Sequence, residues 1–79
     1  MHADICDPDD MDTLQRFHRT LQRLGARREE SHESATGVIV TRFRVADQHL
    51  TVFQDAWSVD IAGAEALVHQ VIAEMRSEE

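Results

Sequence analysis

The chain has few of the residues that cross-link small proteins, form covalent intermediates or build phosphate-binding loops. Cys6 is the only cysteine among 79 residues, so no disulfide can form within the chain. A lone cysteine is typical of a reducing compartment. Lysine is absent, which excludes Schiff-base catalysis through a lysine. The three glycines are isolated from one another, so the chain has no glycine-rich phosphate-binding loop.

The sequence also lacks a long apolar run. No stretch approaches the roughly 20 apolar residues that a membrane-spanning helix needs. His2, Asp4 and Asp7 interrupt the N-terminal segment where a signal peptide would carry its apolar region. We therefore expect a chain without a membrane segment, located in the cytoplasm.

Positive charge is scarce, and the formal net charge is −7. This balance disfavours nucleic acid as a partner, because phosphate backbones bind clustered basic residues. The charges are uneven: residues 1–12 carry five aspartates, and residues 13–28 carry five arginines. Three of these arginines share a helical stripe, which can bind an acidic partner but is usually a solvated face (Arg16, Arg19 and Arg23).

The length predicts one domain over residues 1–79 with a small core. A core of this size supplies only roughly 3–5 kcal/mol, and many chains this small gain stability from a second subunit. We therefore expect a homodimer. Residues 1–6 and 77–79 are expected to fray.

Apolar spacing predicts two helices. The first covers residues 8–24, with Asp7 as N-cap and Gly25 as the C-terminal stop. Its apolar stripe has helical spacing (Met11, Leu14, Phe17, Leu21 and Leu24). The second helix is predicted over residues 63–76, with Asp60 as a capping residue and a second stripe (Leu67, Val68, Val71, Ile72 and Met75).

Residues rich in β-branched and aromatic side chains predict a hairpin between the helices. Its strands are residues 38–46 and 50–58. A two-residue loop at Asp47-Gln48 would pair Val45 with Leu50. The polar segment 26–37 is either a plain loop or contains a short edge strand near residues 28–31.

These elements predict an α+β fold with two layers, αββα or αβββα. An antiparallel hairpin or three-stranded sheet would carry both helices on one face. The other face would then remain uncovered, together with the sheet edges.

The uncovered face is the predicted functional site. Apolar and aromatic side chains alternate there with charged ones, as at the centres of protein interfaces (Val38, Val40, Arg42, Arg44, Phe53, Asp55 and Trp57). An alternative is that Trp57 packs under the 26–37 segment or a helix end as part of a satellite core.

Two functions fit this face. The first is a small protein-interaction module, homodimeric through the face or through a sheet edge. The second is a binder or enzyme for a small anionic ligand, which Arg42 and Arg44 would hold and Trp57 would stack against.

Other reactive residues lack supporting patterns. Asp55 and Asp60 could act as an acid–base pair, but a capping and an ion-pair role are simpler. The five histidines do not have metal-site spacing, and Asp4 and Asp7 would raise the pKa of the Cys6 thiol. We assign no catalytic residue and expect neither a metal ion nor a cofactor, and whether the chain is an enzyme stays open.

Overall fold

The computed structural model describes residues 1–78 and contains seven regular elements. They are β1 (His2–Cys6), α1 (Met11–Arg23), β2 (Arg27–Glu33), β3 (Ile39–Val45), β4 (Gln48–Gln54), β5 (Val59–Gly63) and α2 (Glu65–Arg76). All the strands form one antiparallel sheet in the order β1-β5-β4-β3-β2. The predicted α+β class is confirmed, but the sheet has five strands where two or three were expected.

Helix α1 begins three residues later than predicted. Asp10 is the N-cap, and its Oδ1 accepts a hydrogen bond from the Thr13 N–H at 3.2 Å. The Thr13 hydroxyl donates to Asp10 Oδ2 at 2.8 Å. Asp7, predicted as the cap, instead closes a turn by accepting the Asp10 N–H on its carbonyl at 3.1 Å. The side-chain cap of Asp10 favours this later start. Pro8 then lies in the preceding turn, with which its fixed backbone is also compatible.

The apolar stripe of α1 lies against the core except at its first residue. Phe17 and Leu21 are buried, and Thr20 between them is also fully buried. Met11 is 57% exposed, so the first turn of α1 extends past the core.

The predicted β3–β4 hairpin exists with a different turn. Ala46-Asp47 form the loop, and Ala46 has a φ of 57°. Val45 therefore pairs with Gln48, two residues from the predicted partner Leu50. Because the shift is even, every strand side chain keeps its predicted face.

The predicted strand 50–58 is wrong in its second half. Strand β4 ends at Gln54, and the chain turns over residues 55–58 and returns as β5. The Asp55 side chain makes this turn, since its Oδ1 accepts the N–H groups of Trp57 at 2.8 Å and Ser58 at 2.9 Å. Asp60 therefore lies within β5 and does not cap α2. Helix α2 starts at Glu65, after an N-cap, Ala64, that makes no side-chain bond.

The expectation that residues 1–6 fray is wrong. They form β1 along β5, and the Met1 ammonium donates to the Gly63 carbonyl at 2.8 Å. A bulge between Asp4 and Cys6 lets both Ile5 and Cys6 pack against the core. At the other edge, the segment 26–37 contains a strand, β2, so of the two alternatives the edge strand is confirmed.

The C-terminus is also tied to the fold as far as it is described. Ser77 caps α2, and Glu78 pairs with Arg19 at 3.0 Å and with Arg23 at 3.2 Å. These ion pairs join the two helices. The expected fraying of residues 77–79 therefore does not hold for 77 and 78, and residue 79 lies outside the described residues.

The core lies between one face of the sheet and both helices, as predicted. Sheet residues contribute Val45, Leu50, Val52, Val59 and Ile61, and the helices contribute Phe17, Leu21, Leu67, Val68, Val71 and Met75. Within residues 1–78, neither helix has the length and apolar character needed to cross a bilayer.

Candidate interaction face of the sheet

The sheet surface opposite the helices has no covering layer from residues 1–78. We call it the open face. Its side chains alternate along the strands with the core residues except at the β2 bulge, and none of them is buried (His2, Asp4, Arg27, Glu29, Glu30, His32, Val40, Arg42, Arg44, His49, Thr51, Phe53, Asp60 and Ala62). The whole width of the sheet is therefore available to a partner.

A short apolar strip lies on the open face at the end of the β3–β4 pairing nearest the 55–58 turn. Val40 on β3 lies directly opposite Phe53 on β4, and both are half-buried. The His2 ring stacks on Phe53 with centroids 5.8 Å apart and planes at 9°. This strip is the one part of the face where a partner could bury apolar surface.

The β2–β3 half of the open face carries ion pairs. Arg42 Nη1 lies 3.4 Å from Glu30 Oε1, and Arg44 Nε lies 3.6 Å from Glu29 Oε2. Glu29 Oε1 also lies 3.1 Å from His49 Nε2. A bulge between Arg28 and Glu30 brings these consecutive glutamates to the same face. The two arginines therefore already have carboxylate partners.

The β1–β5 half of the open face is acidic. Asp4 and Asp60 are directly opposite in the β1–β5 pairing. A hydrogen bond between the two side chains raises the pKa of Asp4, and local desolvation and the charges of Asp60 and Asp7 add to this. Asp60 Oδ2 also accepts from the Ser58 hydroxyl at 3.2 Å and lies 3.8 Å from His2 Nε2.

Replacing Asp4 with asparagine is expected to stabilise the fold at pH 7. Because the pKa of Asp4 is raised in the folded state, ionising Asp4 costs more free energy in the folded chain than in the unfolded chain. The free energy of unfolding is therefore highest below the unfolded pKa of Asp4 and decreases as pH rises through the folded pKa. The advantage of Asp4→Asn over wild type is therefore expected to vanish near pH 3. Urea unfolding at the two pH values measures this, with Asp47→Asn as control. An advantage that is independent of pH would contradict the Asp4–Asp60 contact.

The structure brings together most, but not all, of the residues predicted for the site. Val40, Arg42, Arg44 and Phe53 lie on the open face, and Val38 lies half-buried just before β3. Asp55 and Trp57 lie instead in the turn beyond β4 (residues 55–58).

Trp57 is a surface residue. Its side chain is 82% exposed, so the satellite-core alternative is wrong. It lines an open groove of about 420 Å³ together with Asp7, Pro8, Asp9 and Ala56. We call this the Trp57 groove.

The Asp55 turn predicts a pH effect of opposite sign to that of Asp4. The N–H groups of Trp57 and Ser58 lower the pKa of the Asp55 carboxyl. Ionised Asp55 therefore adds to the free energy of unfolding above its unfolded pKa, about 3.9. This stabilisation is lost as pH falls through the lower folded pKa. Asp55→Ala is expected to destabilise the fold at pH 7, with a smaller difference from wild type at pH 2. Thermal unfolding at both values tests this, and an equal difference would contradict it.

The anionic-ligand arrangement of Arg42, Arg44 and Trp57 is not assembled. Both arginines pair with glutamates, and Trp57 lies beyond the end of β4. Between His49, which faces Arg44, and the end of β4 the strand runs roughly 17 Å. Arg44 and Trp57 therefore lie near opposite ends of β4.

Other candidate chemistry is not assembled in residues 1–78 either. No group of three or more histidine, cysteine, aspartate or glutamate side chains is placed there to hold a metal ion. The pKa of Cys6 is raised in the predicted direction, chiefly by burial and then by Asp10, Asp4 and Asp7. Arg19 and Arg23 of the basic stripe pair with Glu78.

The sequence interpretation missed the acidic half of the open face. The sequence predicts a frayed terminus for the segment that contains His2 and Asp4. It predicts a helix cap at Asp60, so none of the three residues is assigned to a sheet. The signal was present as alternation: Ala3 and Ile5 alternate with polar residues, and so do Val59 and Ile61. Both segments are only five residues long, which makes this signal weak.

Comparisons with protein-family models, with curated proteins and with solved structures found no match to this chain.

Proposed function

We propose that the chain is a protein-interaction module that forms a homodimer through the open face. The observation that carries the proposal is the five-stranded sheet with both helices on one side and nothing from residues 1–78 on the other. The open face combines an apolar strip with arginines and carboxylates, and such a mixture of aromatic, arginine and polar side chains is typical of protein interfaces.

The size of the open face is adequate for a modest interface. Five strands of five to seven residues span roughly 24 Å by 20 Å, a footprint of about 500 Å² before side-chain relief is added. Specific interfaces start at roughly 600 Å² of accessible surface per partner. A dimer that used most of this face would therefore reach the lower end of that range.

The charges of the open face favour a second copy as the partner. The face carries three arginines and four carboxylates although the chain as a whole is strongly acidic (Arg27, Arg42 and Arg44; Asp4, Glu29, Glu30 and Asp60). The arginines lie on β2 and β3, and the two aspartates lie on β5 and β1. A two-fold axis that runs parallel to the strands, above β4 and midway between two stacked sheets, would place β3 over β5 of the partner subunit. Arg42 would then lie over Ala62 of the partner subunit, one row of side chains (roughly 7 Å) from Asp60 of the partner subunit and within reach of it.

The sheet edges fit the proposal less well than the face. Every residue of β2 is exposed, but most of them carry charge and a bulge interrupts the strand. Charged, bulged edge strands resist pairing with another strand. Stacking through the open face leaves these edges solvated.

Sedimentation equilibrium over a concentration series tests the proposal. The measured mass is expected to rise from the 9.0 kDa of one chain towards twice that value between about 1 and 500 μM. The transition is expected to shift to higher concentration as salt is added, because opposite charges are screened. A mass of 9.0 kDa throughout the series would overturn the homodimer.

A further inference from the structure

We propose that the Trp57 groove is a second binding site, which accepts a cationic side chain, preferably arginine, from another protein. The groove lies at the end of the sheet where the 55–58 turn meets residues 7–9. It is separate from the open face, so this proposal does not rest on the homodimer.

The turn holds the backbone of Trp57 in a fixed place while leaving its ring exposed. The Trp57 N–H is bound to Asp55 Oδ1 at 2.8 Å, and the Asp55 N–H donates to the Ser58 carbonyl at 3.1 Å. The side chain nevertheless remains 82% exposed. Exposed tryptophans on an ordered turn are suited to act as interface anchors, because little conformational entropy is lost when they are covered.

The charges around the ring determine what could cover it. Asp7 and Asp9 line the groove, and neither side chain forms an ion pair with any of residues 1–78. By contrast, Asp10 caps α1 and Asp55 makes the turn. Within the described chain, the groove therefore combines an aromatic ring with two carboxylates that have no cation of their own.

A cationic side chain satisfies both parts of this groove. It gains a cation–π contact with the indole ring and an ion pair with a carboxylate. A purely apolar occupant would desolvate the two carboxylates without compensation, and an anion would be repelled. Arginine is favoured over lysine because its planar guanidinium can stack on the ring while its N–H groups bind carboxylate oxygens.

Titration with a hexa-arginine peptide, followed by ¹H–¹⁵N spectra, tests the site. Saturable shifts are expected at residues 7–9 and 55–58. Trp57→Leu is expected to weaken binding about two- to fivefold, and Trp57→Phe is expected to weaken it less. Asp7→Asn/Asp9→Asn is expected to weaken binding at least about threefold and to reduce its salt dependence.

A matched control separates this site from general attraction to an acidic chain. Asp47→Asn/Glu65→Gln removes the same charge at the other end of the sheet and is expected to leave the affinity within about twofold. A loss in this control equal to that in Asp7→Asn/Asp9→Asn would overturn the proposal, as would shifts spread over the whole acidic surface. Shifts of groove amides on dilution without peptide would also overturn it, because a second copy would then fill the groove. If a variant does not fold, the proposal is tested by which amides of the wild-type chain shift when the peptide is added: shifts at residues 7–9 and 55–58 support it, and their absence overturns it.

Discussion

Phe17→Ala is expected to leave a large part of the chain unfolded at 25 °C. Phe17 is 1% exposed and lies on the buried stripe of α1 against the core. Truncating a buried phenylalanine costs about 3–5 kcal/mol, and a core of this size supplies about 3–5 kcal/mol in total. Urea unfolding followed by far-UV circular dichroism measures the difference. The proposed dimer would also link association to folding, so a partial recovery of folded signal is expected at high protein concentration.

Met11→Ala is the matched control for Phe17→Ala. Both residues belong to the stripe that the sequence predicts for α1, but Met11 is 57% exposed. Its truncation is therefore expected to change the free energy of unfolding by no more than about 0.5 kcal/mol. Equal losses in the two variants would mean that α1 does not pack as described.

Arg42→Glu is expected to weaken the proposed homodimer at least about 100-fold. In the two-fold arrangement the change would place a second carboxylate near Asp60 of the partner subunit, and symmetry repeats the contact. Like charges brought together in an interface cost several kcal/mol. The loss of the 3.4 Å pair with Glu30 is a small effect by comparison, since exposed ion pairs contribute about 0–1 kcal/mol.

A charge exchange tests which residues meet. Asp60→Arg alone is expected to weaken the dimer like Arg42→Glu, whereas the double variant Arg42→Glu/Asp60→Arg is expected to recover most of the affinity. Arg28→Glu makes the same charge change on the helix side of β2 and is expected to leave the dissociation constant within a few-fold of wild type. If the double variant dissociates as readily as either single variant, Arg42 and Asp60 do not lie within reach of each other.

The parts of the fold that were predictable have long, redundant signals. Helix α1 combines an apolar stripe, acidic residues near its first turn and a terminal glycine. These signals together predict the helix, but they do not determine its first residue. The β3–β4 hairpin has dense β-branched content, which predicts both strands. Its loop is Ala46-Asp47 and not the predicted Asp47-Gln48, so the predicted pairing of Val45 is off by two residues. Ala46 adopts a positive φ in this loop. A positive φ is uncommon for alanine, and the sequence does not indicate it.

The missed strands are short and depend on distant partners. β1 and β5 have five residues each, and they pair with each other across more than 50 residues of chain. Local propensity cannot show such a pairing, because its stability comes from the sheet that both strands join. The division of the site follows from the same error: placing 55–58 in a strand assigned Trp57 to the open face, whereas the Asp55 turn carries it to a separate groove.

The most direct test of the proposed dimer is an isotope-filtered NOE experiment on a mixed sample of ¹³C-labelled and unlabelled chains. The two-fold arrangement with its axis above β4 predicts intermolecular contacts from the Phe53 ring and the Val40 methyl groups to open-face residues of the partner subunit. It predicts none from the exposed helix residue His69. Intermolecular contacts confined to helix residues, or the absence of any such contacts at millimolar concentration, would contradict the account.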